Sequence, residues 1–324
     1  MRARLRYNSE YDALHPKEKK LLEKLTVSIR KFVLKSPTIS KVFYKTRDAH
    51  ATTYNVLEGK FMLHENSEHL SIFPEKIMDV TLRISNAHLK IVKGKWIPAY
   101  GFSLKLKHDA QTVANFPLVN FPLFPFNNVT KFLRLFTAIN QYYTGNFFKK
   151  ISNGLHLIWN STGIFPEILH LSFIKNVVRF IKSRNNFILS FSYHSIGVYR
   201  FGNHLVKLKL VPEMASQPYS QTSPDVSVEE YMAQNRFFKA ELFAQYAYDL
   251  KNQPVNQLHR EWKDTPYISI GLLHFDSIAN KKDLKQELLS FNPFENIDAL
   301  QPVGKIQQLR KRAYEASFRA RSEP

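Results

Sequence analysis

Residues 80–92 read VTLRISNAHLKIV. Val80, Leu82 and Ile84 alternate with Thr81, Arg83 and Ser85, the period-two pattern of a strand with one apolar face and one polar face. The same pattern recurs on either side. NVLEGKFML at 55–63 and YGFSLKLKH at 100–108 are short alternating runs separated by turn-forming stretches. A second strand-rich region follows at 186–212, NFILSFSYHSIGVYRFGNHLVKLKLVP, and at 266–276, PYISIGLLHFD. Several such strands in series predict an antiparallel barrel or sheet.

The intervening segments carry other periods. Residues 10–36 place Leu21, Leu22, Leu25, Ile29, Phe32 and Val33 near helical spacing, and Pro37 is expected to end that helix. Helix is also predicted across 129–184, across VSVEEYMAQNRFFKAELFAQYAYDL at 226–250, and in a basic C-terminal stretch at 305–321. In NFPLVNFPLFPFNN, residues 115–128, prolines 117, 122 and 125 argue against a regular interior strand or helix. EMASQPYSQTSP, residues 213–224, is a loop by composition. With strands on both sides of a helical block, the chain reads as α+β: an amphipathic helical arm over 1–40 and one interleaved domain over 41–324.

Composition narrows the function. There is no cysteine, so there is no disulfide, zinc ribbon, iron–sulfur cluster, thiolate ligand or cysteine nucleophile. The 26 Phe and 15 Tyr could enclose a large flat ligand or simply fill a core. The net charge of +19 suits nucleic acid, an anionic membrane surface or an anionic substrate, and a solvated basic surface gives the same count. The N-terminus, MRARLRYNSEYDALHPKEKK, has no apolar core of a secretory signal, and no stretch of 18 apolar residues exists, so a cytoplasmic protein without a transmembrane segment is expected. Phosphate-binding glycine loops, H-E-x-x-H and G-x-S-x-G are missing. His64 and His69, beside Glu65 and Glu68, match no metal spacing and read as a solvated loop.

Two stretches are chemically suggestive. TRDAHATTY, residues 46–54, sets His50 three residues after Arg47. In RKRAY, residues 310–314, Arg310 lies one helical turn before Tyr314. A guanidinium beside a phenol favours the phenolate, which is a strong ligand for ferric iron. Taken alone, the second stretch reads first as a solvated basic helix with one packed Tyr.

In order and spacing, these stretches resemble the haem catalases. R-x-x-H-A at Arg47–Ala51, with Gly59 following, is similar to the distal segment of that family, RISNA at 83–87 to its R-F-S strand, and LVNFPLF at 118–124 to the segment carrying its distal Asn. RKRAY is similar to its proximal R-x-x-x-Y. PVGKIQQLRKRAYEAS at 302–317 and YHSIGVYRFGNHLVKLKLVP at 193–212 resemble the small catalase-related proteins, and the likeness runs from about residue 44 to 321. It implies a catalase-like antiparallel β-barrel with surrounding helices, holding haem b and processing peroxide as a catalase or peroxidase.

Residue by residue, the resemblance implies His50 as the distal acid–base group, Ser85 as its hydrogen-bond partner and Asn120 as the distal amide. It implies Tyr314 as the axial iron ligand with Arg310 as its charge partner, Arg47 and Arg83 on the haem carboxylates, and Phe124 and Phe132 against the porphyrin. The chain departs from the family pattern at Tyr100, where an Arg is expected before Gly101, at Val198 in place of a Pro, and over Pro125, Phe126, Asn127 and Asn128. These departures leave open an enzyme that converts organic or fatty-acid hydroperoxides, or a haem-binding homologue with weak turnover. The sequence ends ten residues after Tyr314, without the long wrapping and C-terminal regions of full-length catalases. Their tight tetramer is therefore not implied, and a homodimer remains open. Nucleic-acid binding through LRKRAYEASFRAR at 309–321 explains none of the ordered matches and is not expected.

Overall fold

The computed structural model describes residues 3–65, 69–91, 98–124, 128–146, 152–154, 171–183, 185–213, 223–279 and 285–323. Glu68, Pro125, Phe126 and Asn127 lie outside the described residues, as do most of the 213–224 loop and the centre of the 129–184 block.

A closed antiparallel barrel forms from β1 (Thr52–Leu63), β2 (Ile77–Asn86), β3 (Tyr100–His108), β4 (Gln111–Val119), β5 (Tyr193–His194), β6 (Val198–Phe201), β7 (His204–Pro212), β8 (Phe238–Tyr246) and β9 (Tyr267–Ile278). Consecutive hairpins join β1 to β4, and β4 meets β5 at Val119 and His194. β5 and β6 share one edge of β7, and β8 takes the other. β9 pairs with both β8 and β1 and so closes the ring. A short β10 (Pro302–Val303) pairs with β6. Closure leaves the hairpin strands no free edge.

The alternation foreseen in 80–92 holds over β2, where Met78, Val80, Leu82 and Ile84 point into the barrel and are buried. They meet Phe61, Phe102, Leu104, Phe116 and Tyr193 in one core, in which Phe102 and Tyr193 stack at 3.5 Å. The opposite face differs from expectation at its C-terminal end: Arg83 and Ser85 are buried as well. A loop and a helix cover them.

That helix belongs to the outer layer: α1 (Pro16–Ser40), α2 (Val129–Thr144), α3 (Leu171–Lys182), α4 (Pro224–Asn235), the single turn α5 (Lys285–Leu288) and α6 (Lys305–Ser322). Pro16 opens α1, His15 caps it, and the Glu18 carboxylate accepts from the His15 amide. Leu22, Leu25, Ile29 and Val33 then pack on Leu133 of α2 and on Ile306 and Leu309 of α6.

Four local expectations are corrected. First, α1 continues through Pro37 to Ser40 instead of ending there. A proline inside a helix orphans the carbonyl four residues back, here that of Val33, and the Ser36 hydroxyl donates to it at 2.7 Å. Second, Pro117 sits within β4, opposite Ser103. Two residues earlier, the Asn115 amide donates away from β3, to the Asn296 side chain. Pro117 has the same facing, so its missing N–H removes no β3–β4 hydrogen bond. Third, the stretch 226–250 is helical only as far as Asn235; Phe238, Ala240, Leu242, Ala244 and Tyr246 then alternate inward as β8. Fourth, His69 is not solvated. It is 1% exposed, stacks on Tyr246 and shares a 2.8 Å hydrogen bond with the Tyr246 hydroxyl. His64 stays exposed beside Glu241 and Ser269, and no acidic or histidine cluster among the described residues has metal-binding geometry.

Candidate active site

After α1, Lys41 turns the chain in the left-handed region, and the Thr46 amide donates to Ser36 Oγ at 2.7 Å. This fixes the start of the 46–51 loop on the helical layer. Its other end is fixed on the barrel, where the Ala51 amide donates to the His88 carbonyl. Between them, His50 has φ +52°, an uncommon conformation for a residue with a side chain and one that costs about 1–3 kcal/mol. Arg83 helps to hold it, with Nη2 donating to the His50 carbonyl at 2.7 Å and Nε to Thr53 Oγ1 at 3.0 Å.

The His50 ring lies on the outside of β2 and β3. Nδ1 is 3.1 Å from Ser85 Oγ, and Ser85 Oγ is 3.2 Å from the Gly101 carbonyl. A Cβ on Gly101 would come within 2.6 Å of His50 Nδ1, so the ring occupies a space that only glycine leaves. The serine hydroxyl has one hydrogen, and the Gly101 carbonyl can only accept it. Ser85 Oγ must then accept from His50 Nδ1–H, which leaves Nε2 as the ring's lone-pair nitrogen. Burial, and next the charges of Arg83, Arg310 and Arg47, push the His50 pKa down to about 3, so the imidazole is neutral at neutral pH.

α6 brings the second set. Gln307, Arg310, Tyr314, Ser317 and Arg321 form one stripe, next to the apolar stripe of Ile306, Leu309 and Ala320 that packs toward α1. Arg310 Nη1 donates to Gln307 Oε1 at 2.8 Å and Nη2 to the Tyr314 hydroxyl at 3.1 Å. Burial works against the Arg310 charge, but the phenols of Tyr314 and Tyr199 beside it raise its pKa above the ordinary value. Arg47 pairs with Glu287 of α5 at 2.9 Å and donates to the Leu289 carbonyl, while Arg321 donates to the Glu287 carbonyl. Burial raises the pKa of Asp48, which hydrogen-bonds Ser317.

His50, Ser85, Arg47, Arg83, Arg310 and Tyr314 are thus gathered where the 46–51 loop, β2 and α6 meet. The remaining three expected residues make other contacts. Asn120 sits just past β4, with Oδ1 accepting from the Tyr100 amide at 2.8 Å and Nδ2 donating to the Pro98 carbonyl at 2.7 Å. It also lines a cleft of about 480 Å³ with Phe121, His194 and Lys207. Phe124 and Phe132, with ring centroids 5.4 Å apart, belong to the apolar layer that includes Ile306 and Leu309. Of the departures, Tyr100 is a core aromatic against Tyr54 and Phe191, and Asn128 caps α2.

The structure adds Arg321, Glu287 and Asp48 to the set foreseen. Arg321 was findable, because it lies seven residues after Tyr314 and so shares its helical face. Glu287 gave no local signal, since it reaches Arg47 from a distant segment.

No family model matches the sequence, and no curated protein matches it. The architecture does match solved structures. Catalase A from Saccharomyces cerevisiae superposes with a TM-score of 0.63 at 14% identity, covering 99% of this chain and 68% of the other. This is a catalase-like fold. A fungal catalase gives 0.63 at 14% identity over 99% of this chain and 66% of the other, and a bacterial catalase gives 0.62 at 14% over 89% and 60%. The chain spans about two thirds of the length of these catalases or slightly less.

Haem is the group that a catalase-like fold implies, and the residues present fit it. Four guanidiniums, of Arg47, Arg83, Arg310 and Arg321, lie in one buried region against the carboxylates of Glu287 and Asp48. Arg321 Nε is buried without a hydrogen-bond partner, and burial, then Arg47, pushes the Arg321 pKa down to about 9. Such a cluster is short of negative charge, and a ligand bearing two carboxylates supplies it. Tyr314 offers a hard oxygen donor already paired with a cation.

Proposed function

We propose that this chain is a haem-dependent oxidoreductase acting on peroxide. One observation carries the reading: a neutral imidazole with its lone-pair nitrogen fixed, and a phenol paired with a guanidinium, both held in one buried cationic region. When bound, haem supplies the iron that exchanges electrons with the peroxide.

The chain's own residues do the rest. The Tyr314 oxygen would hold the iron, with Arg310 Nη2 donating to that oxygen at 3.1 Å. Arg47, Arg83 and Arg321 hold the haem carboxylates, with Arg321 Nε offering an unused donor. His50 Nε2 is placed to accept the proton from one peroxide oxygen and return it to the other, the proton movement that would let water leave when bound haem supplied the electrons and took the remaining oxygen. Ser85 keeps Nδ1 protonated and the ring in place throughout. Asn120 has one amide hydrogen beyond its bond to Pro98, available to orient the peroxide.

The test is an absorption spectrum of protein expressed with haem supplied, wild type beside Tyr314→Phe. A Soret band with phenolate-type visible bands in the wild type, altered or lost in the variant, is expected. Protein that stays colourless and takes up no added haem would overturn the proposal. Oxygen evolution from hydrogen peroxide, set against consumption of a fatty-acid hydroperoxide, then distinguishes the two substrate classes. His50→Ala should lower either activity by roughly 10²–10⁴-fold while leaving the bound spectrum in place.

A further inference from the structure

α3 (Leu171–Lys182) exposes an apolar stripe that nothing among the described residues covers. Leu171 is 70% exposed, Ile174 42%, Val178 45% and Ile181 51%. Their spacing of three, four and three residues keeps them on one face of the helix. Lys175, Arg179 and Lys182, all exposed, run along the flank of the same stripe.

Rotation of the helix cannot hide this face, because the opposite face is already fixed. Phe173 and Phe180 each pack edge-on against Phe121, both at 5.6 Å. Asn176 Nδ2 donates to Glu261 Oε1 at 2.7 Å. A helix anchored through a buried amide and two aromatic rings presents its outer side as a defined surface, and that surface is apolar along one line and cationic beside it.

We propose that α3 is a membrane-docking face that takes an anionic lipid bilayer. Its chemistry is that of an interfacial helix, with aliphatic side chains for the acyl boundary and adjacent cations for acidic headgroups. At 12 residues it is about 18 Å long, too short to cross a bilayer and long enough to lie in its surface. No described helix is long and apolar enough to cross a membrane, and a helix of this composition attaches by lying in the interface. The chain's net charge of +19 matches an anionic surface and repels a second copy of itself. The inference stands independently of haem binding.

The experiment is co-sedimentation of the full chain with phosphatidylcholine vesicles, with and without phosphatidylserine. Binding is expected only to the phosphatidylserine vesicles. Ile174→Ser with Val178→Ser should weaken it by roughly tenfold or more through lost apolar burial. Lys175→Gln with Lys182→Gln should weaken it by about fivefold per cation. All four positions are exposed, so the variants should keep the wild-type circular dichroism and melting curve. Absence of binding, equal binding to both vesicle types, or binding unaffected by the serine pair would each overturn the proposal. So would a dimer in sedimentation velocity that the serine pair converts to monomer, because a second copy would then own the face.

Discussion

At Gly101 the backbone leaves a space that the His50 ring fills, and an added Cβ would lie 2.6 Å from Nδ1 and 2.8 Å from Ser85 Oγ. Gly101→Ala should therefore push the imidazole off Ser85 while leaving the β2–β3 ladder intact. On the proposed function, haem binding through Tyr314 should survive and peroxide turnover should fall by roughly a hundredfold, the cost of misplacing a catalytic group by about 1 Å. Steady-state kinetics beside the Soret spectrum check this: an unchanged rate would show that the ring position does not matter. At this scale the sequence was legible where a short motif carries its own geometry, as with Arg310 one turn before Tyr314. It was not legible for Gly101, whose role depends on a ring brought from another segment, nor for the Arg47–Glu287 pair, whose partners are 240 residues apart.

Ser36 shows how one element serves another. Its hydroxyl donates to the carbonyl that Pro37 orphans and accepts from the Thr46 amide, so it keeps α1 continuous and sets the first residue of the loop carrying Arg47 and His50. Ser36→Ala leaves a buried carbonyl and a buried N–H without partners, at about 1–3 kcal/mol for each. The urea midpoint should drop accordingly, and Ser36→Thr should recover part of the loss; an undiminished midpoint in the alanine variant would mean that water replaces the hydroxyl. The same element exposes a limit of pattern reading. By pattern, proline reads as a stop in α1 and as a strand breaker at 117. It is neither, because a neighbouring hydroxyl satisfies the first orphan and the hydrogen-bond facing of β4 makes the second harmless. The misreading of β8 has a different cause. Lys239, Glu241 and Gln245 do alternate with the inward residues, but Phe243 breaks the alternation and Ala240, Leu242 and Ala244 are good helix formers, so the stretch reads as a continuation of the helix before it until β7 and β9 flank it.

For the whole molecule, the barrel was legible because hairpin strands advertise themselves through alternation, whereas its closure through β7, β8 and β9 pairs segments that no local pattern joins. The assembled fold also carries a thermodynamic consequence. It holds two histidines in their neutral form: His50, on the outside of β2–β3 beside α6, and His194 on β5, whose pKa burial, then Lys209 and Lys207, pushes down to about 3. In the unfolded chain both return to about 6.5. Below that pH the unfolded state binds protons that the native state refuses, so stability is fully present above pH about 6.5 and is lost progressively as pH falls toward 3. One pKa unit corresponds to about 1.4 kcal/mol, so each histidine contributes up to about 4 kcal/mol of acid sensitivity over that window. Urea midpoints measured from pH 7 down to pH 5, above the range in which ordinary carboxylates titrate, should fall steadily. His194→Asn, which takes no proton in either state, should flatten the slope by roughly half. A midpoint independent of pH over that interval would show that the two imidazoles take up protons in the fold as readily as in the unfolded chain, and their exclusion of protons by burial would be refuted.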